Sequence, residues 1–147
     1  MIPNTIDVES ARRVQVSSRR QALALLAAAT GGALARPFRE LRVRDVRAWE
    51  SISSPHLTDP LEQFRRAVDG DAIRRLAEDY LDATPDPADA EWLISRVLEG
   101  AAPEENLVGY MGRRVTQDYE STRTHDFGGW LVSRTEARLL AVLALTA

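Results

Sequence analysis

The stretch Ser133-Arg134-Thr135-Glu136, continued by Ala137-Arg138-Leu139-Leu140-Ala141-Val142-Leu143-Ala144-Leu145, decides the fold. Its first four residues have the S-x-x-E pattern of a capping box, which fixes the start of a helix. After Glu136, every residue to Leu145 is apolar except Arg138. A helix that is apolar almost all round either lies at the centre of a core or is half covered by a partner. The sequence therefore predicts a buried helix at the C-terminal end of the chain.

Further helices are predicted on the N-terminal side of this one. Apolar residues recur at helical spacing over residues 40–53, 59–83 (bent or interrupted at Gly70), 86–100 and 103–119. Asp59-Pro60 and Asp86-Pro87 are typical of helix starts. We expect a loop over Thr122–Gly129 and an extended lead-in over Trp130–Val132, in which Leu131 or Val132 supplies an apolar staple to the last helix. Because no strand pattern of useful length appears, the fold is predicted to be an all-α bundle of four to six helices.

The stretch Ser18-Arg19-Arg20-Gln21-Ala22-Leu23 has features of a segment that targets a protein for export. An uncharged run follows it and ends in the small-x-small pattern Ala33-Leu34-Ala35, which is typical of a cleavage site. The segment resembles the twin-arginine signal family, whose pattern is S-R-R-x-F-L-K. Ser18, Arg19, Arg20 and Leu23 match that pattern, whereas Ala22 and Ala24 replace its Phe and Lys. The resemblance implies a signal peptide over residues 1–35, export to the periplasm or another extracytoplasmic space, and a single helical domain over residues 36–147.

The same segment has a second interpretation as an amphipathic or buried N-terminal helix. All 19 basic residues of the chain are arginine, and arginine pairs occur at four other places, so the pair alone is a weak signal. The run from Gln21 to Ala35 is shorter than the stretch of about 20 apolar residues that a membrane-spanning helix needs. We therefore expect contact with a membrane only through this segment, if it remains uncleaved.

The charge and the rare residues argue against several classes of function. Residues 36–147 carry 15 Arg against 20 acidic residues, which disfavours nucleic acid or an anionic membrane as a partner. The chain has no cysteine, so thiolate chemistry, disulfides and cysteine-ligated metals are ruled out. His56 and His125 are too far apart in sequence to form a histidine metal motif. No cofactor and no metal are expected.

Two short patterns offer candidates for chemistry. His125-Asp126 is a possible acid–base pair of a small hydrolytic enzyme, although a histidine that fixes a loop by hydrogen bonds is the simpler interpretation. Gly109-Tyr110-Met111-Gly112 imitates a phosphate clamp, but in a net-acidic helical domain we expect a site of close helix packing. The carboxylates between Asp79 and Glu91 are interpreted as a solvated acidic surface, or at most a loose calcium site.

The first turns of the last helix contain a local conflict. Arg134 and Arg138 are four residues apart, so their like charges repel, and the start of a helix favours anions. One explanation is that these arginines pair with acids elsewhere in the bundle, around Asp118 and Glu120. The other is that Trp130, Arg134 and Arg138 form a docking surface for a partner protein, since Trp and Arg are enriched at binding hot spots.

The organisation of the chain suggests what kind of protein this is. A twin-arginine signal followed by about 110 helical residues without a cofactor motif resembles the small helical subunits of periplasmic flavin-dependent sugar and polyol dehydrogenases. The resemblance implies a non-catalytic accessory subunit that is exported folded, together with a larger oxidoreductase subunit. The alternatives are a free-standing periplasmic binding module and a small hydrolytic enzyme that uses His125 and Asp126.

Overall fold

The computed structural model describes residues 5–30, 33–48, 60, 66 and 69–147. In these residues the chain forms, in order, α1 (Thr5–Thr30), a 3-10 helix (Ala33–Phe38), α2 (Val43–Arg47), α3 (Gly70–Ala83), α4 (Ala90–Val97), α5 (Leu107–Glu120), β1 (Thr124–Phe127), β2 (Trp130–Ser133) and α6 (Arg134–Leu145). The predicted helix start at Asp59 and the residues of the predicted 40–53 helix beyond position 48 lie outside the described residues.

The last helix, α6, lies at the centre of the bundle. Its capping box is confirmed, because Ser133 Oγ accepts from the Glu136 N–H at 3.1 Å and Glu136 Oε2 accepts from the Ser133 N–H at 3.0 Å. α6 packs against α1, α3, α4 and α5. Helices therefore cover α6 on several sides, which explains why its sequence is apolar almost all round.

The N-terminal helix α1 contributes to the same core. Seven consecutive residues, Ala22 to Ala28, are buried and belong to one apolar cluster with residues of α3, α4, α5 and α6. α1 packs mainly on α5 and α6, and its Gln21 donates a hydrogen bond of 2.6 Å to the Val46 carbonyl at the end of α2. The structure thus places the segment predicted to be a signal inside the bundle, as a helix.

The start of α3 agrees with the predicted interruption at Gly70, whereas the starts of α4 and α5 differ from the pattern-based predictions. Asp69 caps α3 by accepting from the N–H groups of the first turn. Asp89 caps α4 through the Trp92 N–H at 2.6 Å, so the prediction that Asp86 caps this helix is wrong. Asn106 caps α5, which begins at Leu107, so the predicted start at Pro103 is four residues too early. Residues 103–107 first form hydrogen bonds with residues 41–44 at the start of α2. A short side chain that accepts from the first turn sets each start, and a nearby proline does not.

A hairpin corrects the prediction of an all-α fold. β1 pairs antiparallel with β2 in the register Thr124↔Ser133 to Phe127↔Trp130. The predicted loop over Thr122–Gly129 therefore contains one strand and the turn. Each strand has only four residues, too few for an alternating pattern to stand out in the sequence. The fold is mostly helical with a small two-stranded sheet.

Candidate functional site

The turn of the hairpin is set by its own residues. Gly128 and Gly129 connect the strands, with φ values of 59° and 95°. Two central residues with positive φ match a type I′ turn, whose twist suits the paired strands and which glycine adopts without strain. Asp126 Oδ1 accepts from the Gly129 N–H at 2.7 Å and secures the turn. The hairpin is therefore held in one conformation by local chemistry.

Trp130 and Leu131 are the most exposed large apolar residues of the described chain. They are 78% and 58% exposed, respectively. Because neighbouring side chains of a strand project to opposite faces, both faces of the hairpin present an apolar group here. We call these two residues the hairpin tip. Leu131 is therefore not the staple of α6, whereas Val132, directly before the cap, is half-buried and packs against the core.

The base of the hairpin is tied to the helices around it. The Tyr119 hydroxyl of α5 lies 3.2 Å from the Leu131 carbonyl oxygen and 3.3 Å from Glu136 Oε2, and both oxygens can accept from it. Ser133 ends β2 and caps α6 at the same time. The hairpin tip is thus exposed on a support that needs no ordering when a partner binds.

Of the two arginines assigned to a docking surface, only Arg134 is exposed. The Arg138 guanidinium binds Asp86 in a bidentate ion pair, with Nε–Oδ2 at 2.8 Å and Nη2–Oδ1 at 3.3 Å. The two side chains are only 12% and 11% exposed. The structure therefore removes Arg138 from the predicted docking surface and gives it an internal partner.

Asp86 joins several groups in what we call the Asp86 cluster, formed by Tyr80, Asp86, Trp92 and Arg138. The Tyr80 hydroxyl donates to Asp86 Oδ2, and the Arg138 guanidinium carbon lies 5.7 Å from the centroid of the Trp92 ring. Burial and the hydrogen bond to Asp86 raise the pKa of Tyr80 to about 12. Burial also raises the pKa of Asp86, but the hydrogen bonds from Arg138 and Tyr80 outweigh burial and hold that pKa below its ordinary value.

The charge states of the Asp86 cluster indicate a structural role. At neutral pH the pKa values of Tyr80 and Asp86 keep the phenol protonated and the carboxylate ionised, so neither group exchanges a proton readily. The cluster connects α3, the segment before α4, and α6. It also resolves the conflict between the two arginines, since the charge of Arg134 also helps to lower the pKa of Asp86.

The acid expected to pair with these arginines binds other groups. Asp118 accepts from the Thr135 N–H at 2.8 Å and from the Thr135 hydroxyl at 2.6 Å, and it pairs with Arg123 at 3.2 Å. The expectation that an acid elsewhere in the bundle pairs with these arginines is confirmed for Arg138, but that acid is Asp86, and the predicted location around Asp118 is wrong. Asp118 instead accepts a hydrogen bond from a backbone N–H in the N-terminal turn of α6, where an anion also complements the helix dipole.

The structure separates the predicted acid–base pair. His125 lies against two aromatic rings, with centroids 5.5 Å from Tyr80 and 4.5 Å from Phe127. Asp126 points to the turn, where it accepts from Gly129. As neighbours in one strand, His125 and Asp126 project to opposite faces of β1. The two side chains are not arranged to act on one atom.

The other candidate patterns give no site among the described residues. Within this part of the chain, no group of three or more His, Asp or Glu side chains is placed to hold a metal. Gly109 and Gly112 lie in α5, and a Cβ built at Gly112 meets no described atom within 4 Å. Among the described residues, no other backbone packs closely on Gly112 as the pattern predicted. None of the described helices is long and apolar enough to cross a membrane.

The residues of the predicted signal are partly accessible and partly buried. Ser18 and Leu23 are buried, Arg19 is half-buried and Arg20 is exposed. Ala33 and Ala35 lie in the 3-10 helix, where Ala35 is buried.

Sequence reasoning missed two residues of these sites. Asp86 is 52 residues from Arg138 in sequence, so no local pattern connects them. Leu131 follows Trp130, and the Gly-Gly pair before it signals a turn that exposes both. No family model, curated protein or solved structure matches this chain.

Proposed function

We propose that this protein is a non-catalytic accessory subunit that binds a larger protein through its hairpin tip and is exported with it. The observation that carries the binding role is Trp130, a large aromatic side chain that is 78% exposed. Water contact with an aromatic surface of this size is unfavourable, and a partner pocket relieves it. Leu131 extends the apolar surface on the other face of the strand.

The support of the hairpin tip favours tight binding. Ordering a flexible loop opposes association, and a segment held in advance avoids that cost. The Gly128-Gly129 turn, the Asp126 hydrogen bond and the Tyr119 contact all hold the hairpin in place. Arg134, exposed directly after β2, supplies the second residue type that is common at binding hot spots. Trp130, Leu131 and Arg134 form the proposed docking surface.

Binding is favoured over the hydrolytic alternative by the geometry of β1. His125 packs between two rings, and the Asp126 carboxylate is occupied by the turn. A general base must reach the proton that it removes, with its partner group close by. The opposite directions of these two side chains do not support that arrangement.

The export role is supported by the match of Ser18, Arg19, Arg20 and Leu23 to the twin-arginine pattern. That pathway carries folded proteins, often with a cofactor or partner loaded before transport. An accessory subunit with a signal would then bring a larger oxidoreductase subunit with it.

Trp130→Ala tests the docking surface. The tagged protein, expressed at its native level, is isolated from whole cells under native conditions, and the size of its complex is measured by gel filtration. We expect a complex with a larger polypeptide, and Trp130→Ala should weaken it about tenfold or more. The control is Gln117→Ala, an exposed position of α5, which should leave the complex intact. A monomeric wild type, or a complex that Trp130→Ala does not change, would contradict the proposal.

The export role has a separate test. Arg19→Lys and Arg20→Lys are introduced together and keep the positive charge of the segment. The double variant should stay in the cytoplasm, because the receptor reads the arginine pair rather than its charge. The distribution is measured by fractionation and immunoblotting. Unchanged accumulation in the periplasm would refute the export half of the proposal and leave the docking surface to stand on its own test.

A further inference from the structure

As an export signal, residues 18–35 must be accessible, whereas the folded bundle buries several of them. An export receptor and a signal peptidase read a segment by direct contact, so its side chains and backbone must be accessible. In the structure Ser18 is only 3% exposed and Leu23 is also buried, in the part of α1 that packs into the bundle. Of the four residues that match the pattern, only Arg20 is exposed, and Arg19 is half-buried.

The predicted cleavage site is sequestered independently. Ala35 is 2% exposed and lies inside the 3-10 helix Ala33–Phe38, which packs on α1 and α5. Proteolysis of a folded protein requires local opening of the segment that is cut. The same packing that buries Ser18 and Leu23 therefore also protects the bond after Ala35.

The contacts that hold α1 in the bundle combine leucines, alanines and one hydrogen bond. Four of the seven consecutive buried residues are alanine, namely Ala22, Ala24, Ala27 and Ala28. Alanine buries much less apolar surface than leucine, so each such position stabilises docking only weakly. Gln21, at the variable position of the signal pattern, adds a hydrogen bond to the Val46 carbonyl at 2.6 Å. Removing this hydrogen bond weakens the docking of α1 and leaves the residues that match the signal pattern unchanged.

We propose that the folded chain masks its own export signal, because docking of α1 in the bundle and recognition of residues 18–35 exclude each other. The inference rests on the proposed export role and adds its regulation. While α1 is docked, the export receptor does not bind the signal. Displacement of α1 exposes Ser18, Leu23 and the bond after Ala35 together.

The absence of cysteine allows a direct test in the full chain. Single variants Ser18→Cys, Ala35→Cys and Arg20→Cys are labelled with a maleimide under native conditions. Masking predicts that the thiols of Ser18→Cys and Ala35→Cys react on the order of 100-fold more slowly than the thiol of Arg20→Cys, because they react only after local opening. Circular dichroism checks that each variant is folded. Equal rates at the three positions would overturn the proposal, and Ala35→Cys decides the outcome if Ser18→Cys does not fold.

A second variant weakens docking and leaves the signal pattern intact. Gln21→Ala removes the hydrogen bond to Val46, and in the Ser18→Cys background it should speed labelling about fivefold, the factor expected for one hydrogen bond. In the otherwise unchanged chain, Gln21→Ala should also raise the exported fraction. Faster labelling with no gain in export would overturn the masking. Failure of the export role appears separately, as periplasmic accumulation that does not depend on Arg19 and Arg20.

Discussion

At the residue scale, Asp86 connects α3 and α6. It accepts from Tyr80 and from two nitrogens of Arg138, with both members of the ion pair almost fully buried. Removing one member of a buried pair leaves the other charge without compensation. Asp86→Asn should therefore lower the free energy of unfolding by about 3 kcal/mol, measured by urea denaturation. Asp82→Asn, at an exposed position of α3, is the control and should change it by less than about 0.5 kcal/mol.

The same carboxylate predicts a dependence on pH. Its pKa lies below the ordinary value of 3.8 in the folded chain, so the stabilisation is present above 3.8 and is lost as the pH falls through the lower, folded pKa. The difference in stability between wild type and Asp86→Asn should therefore be constant near neutral pH and shrink only at pH values below 3.8. Urea denaturation at several pH values measures this difference in stability. A difference that did not shrink below pH 3.8 would contradict the role assigned to Asp86.

The cluster also shows where sequence reasoning stops at this scale. The repulsion between Arg134 and Arg138 was visible as a conflict, and it indicated that a compensating contact exists. Asp86 appeared to be a helix cap because a proline follows it. Its real partners are set by the packing of α3 and α6, which no local pattern describes.

At the element scale, α5 contains a glycine that its structure does not need. Gly112 lies in the helix interior, and a Cβ there would meet no described atom within 4 Å. Glycine in a helix costs more conformational entropy than alanine. Gly112→Ala should therefore raise the free energy of unfolding by about 0.5–1 kcal/mol, measured by thermal or urea denaturation. An unchanged or lower stability would show that another backbone lies close to Gly112.

Gly128→Ala is the matched comparison for that variant. Space is also open around Gly128, but its φ of 59° lies in the left-handed region, which alanine adopts only with strain. Gly128→Ala should lower the free energy of unfolding by about 1 kcal/mol, so the two substitutions have opposite signs.

Elements were predictable where their signal is local. The capping box at Ser133 and Glu136 and the apolar run behind it are contiguous, and the structure confirms the helix that they predict. The hairpin was missed because four-residue strands carry little periodic signal. Its Gly128-Gly129 turn was present in the sequence as a recognised hairpin pattern.

At the scale of the whole molecule, the packing of α1 decides whether residues 1–35 belong to the folded domain or form a separate segment. The sequence favoured a boundary after Ala35, whereas the structure packs α1 and α6 in one apolar cluster. Leu25 is fully buried on α1. If α1 belongs to the cooperative unit, Leu25→Ala should lower the free energy of unfolding by about 2–5 kcal/mol in a single transition.

Arg20→Ala, exposed on the same helix, is the control for Leu25→Ala and should change that free energy by less than about 0.5 kcal/mol. The measurement is urea denaturation of the full chain, followed by circular dichroism and by tryptophan fluorescence. All three tryptophans lie outside α1, so fluorescence reports the remainder of the chain. A folded unit limited to residues 36–147 would keep its fluorescence midpoint when Leu25 is shortened. A shift of both signals together means that loss of residues 1–35 leaves a bundle without part of its core, which a partner must then cover.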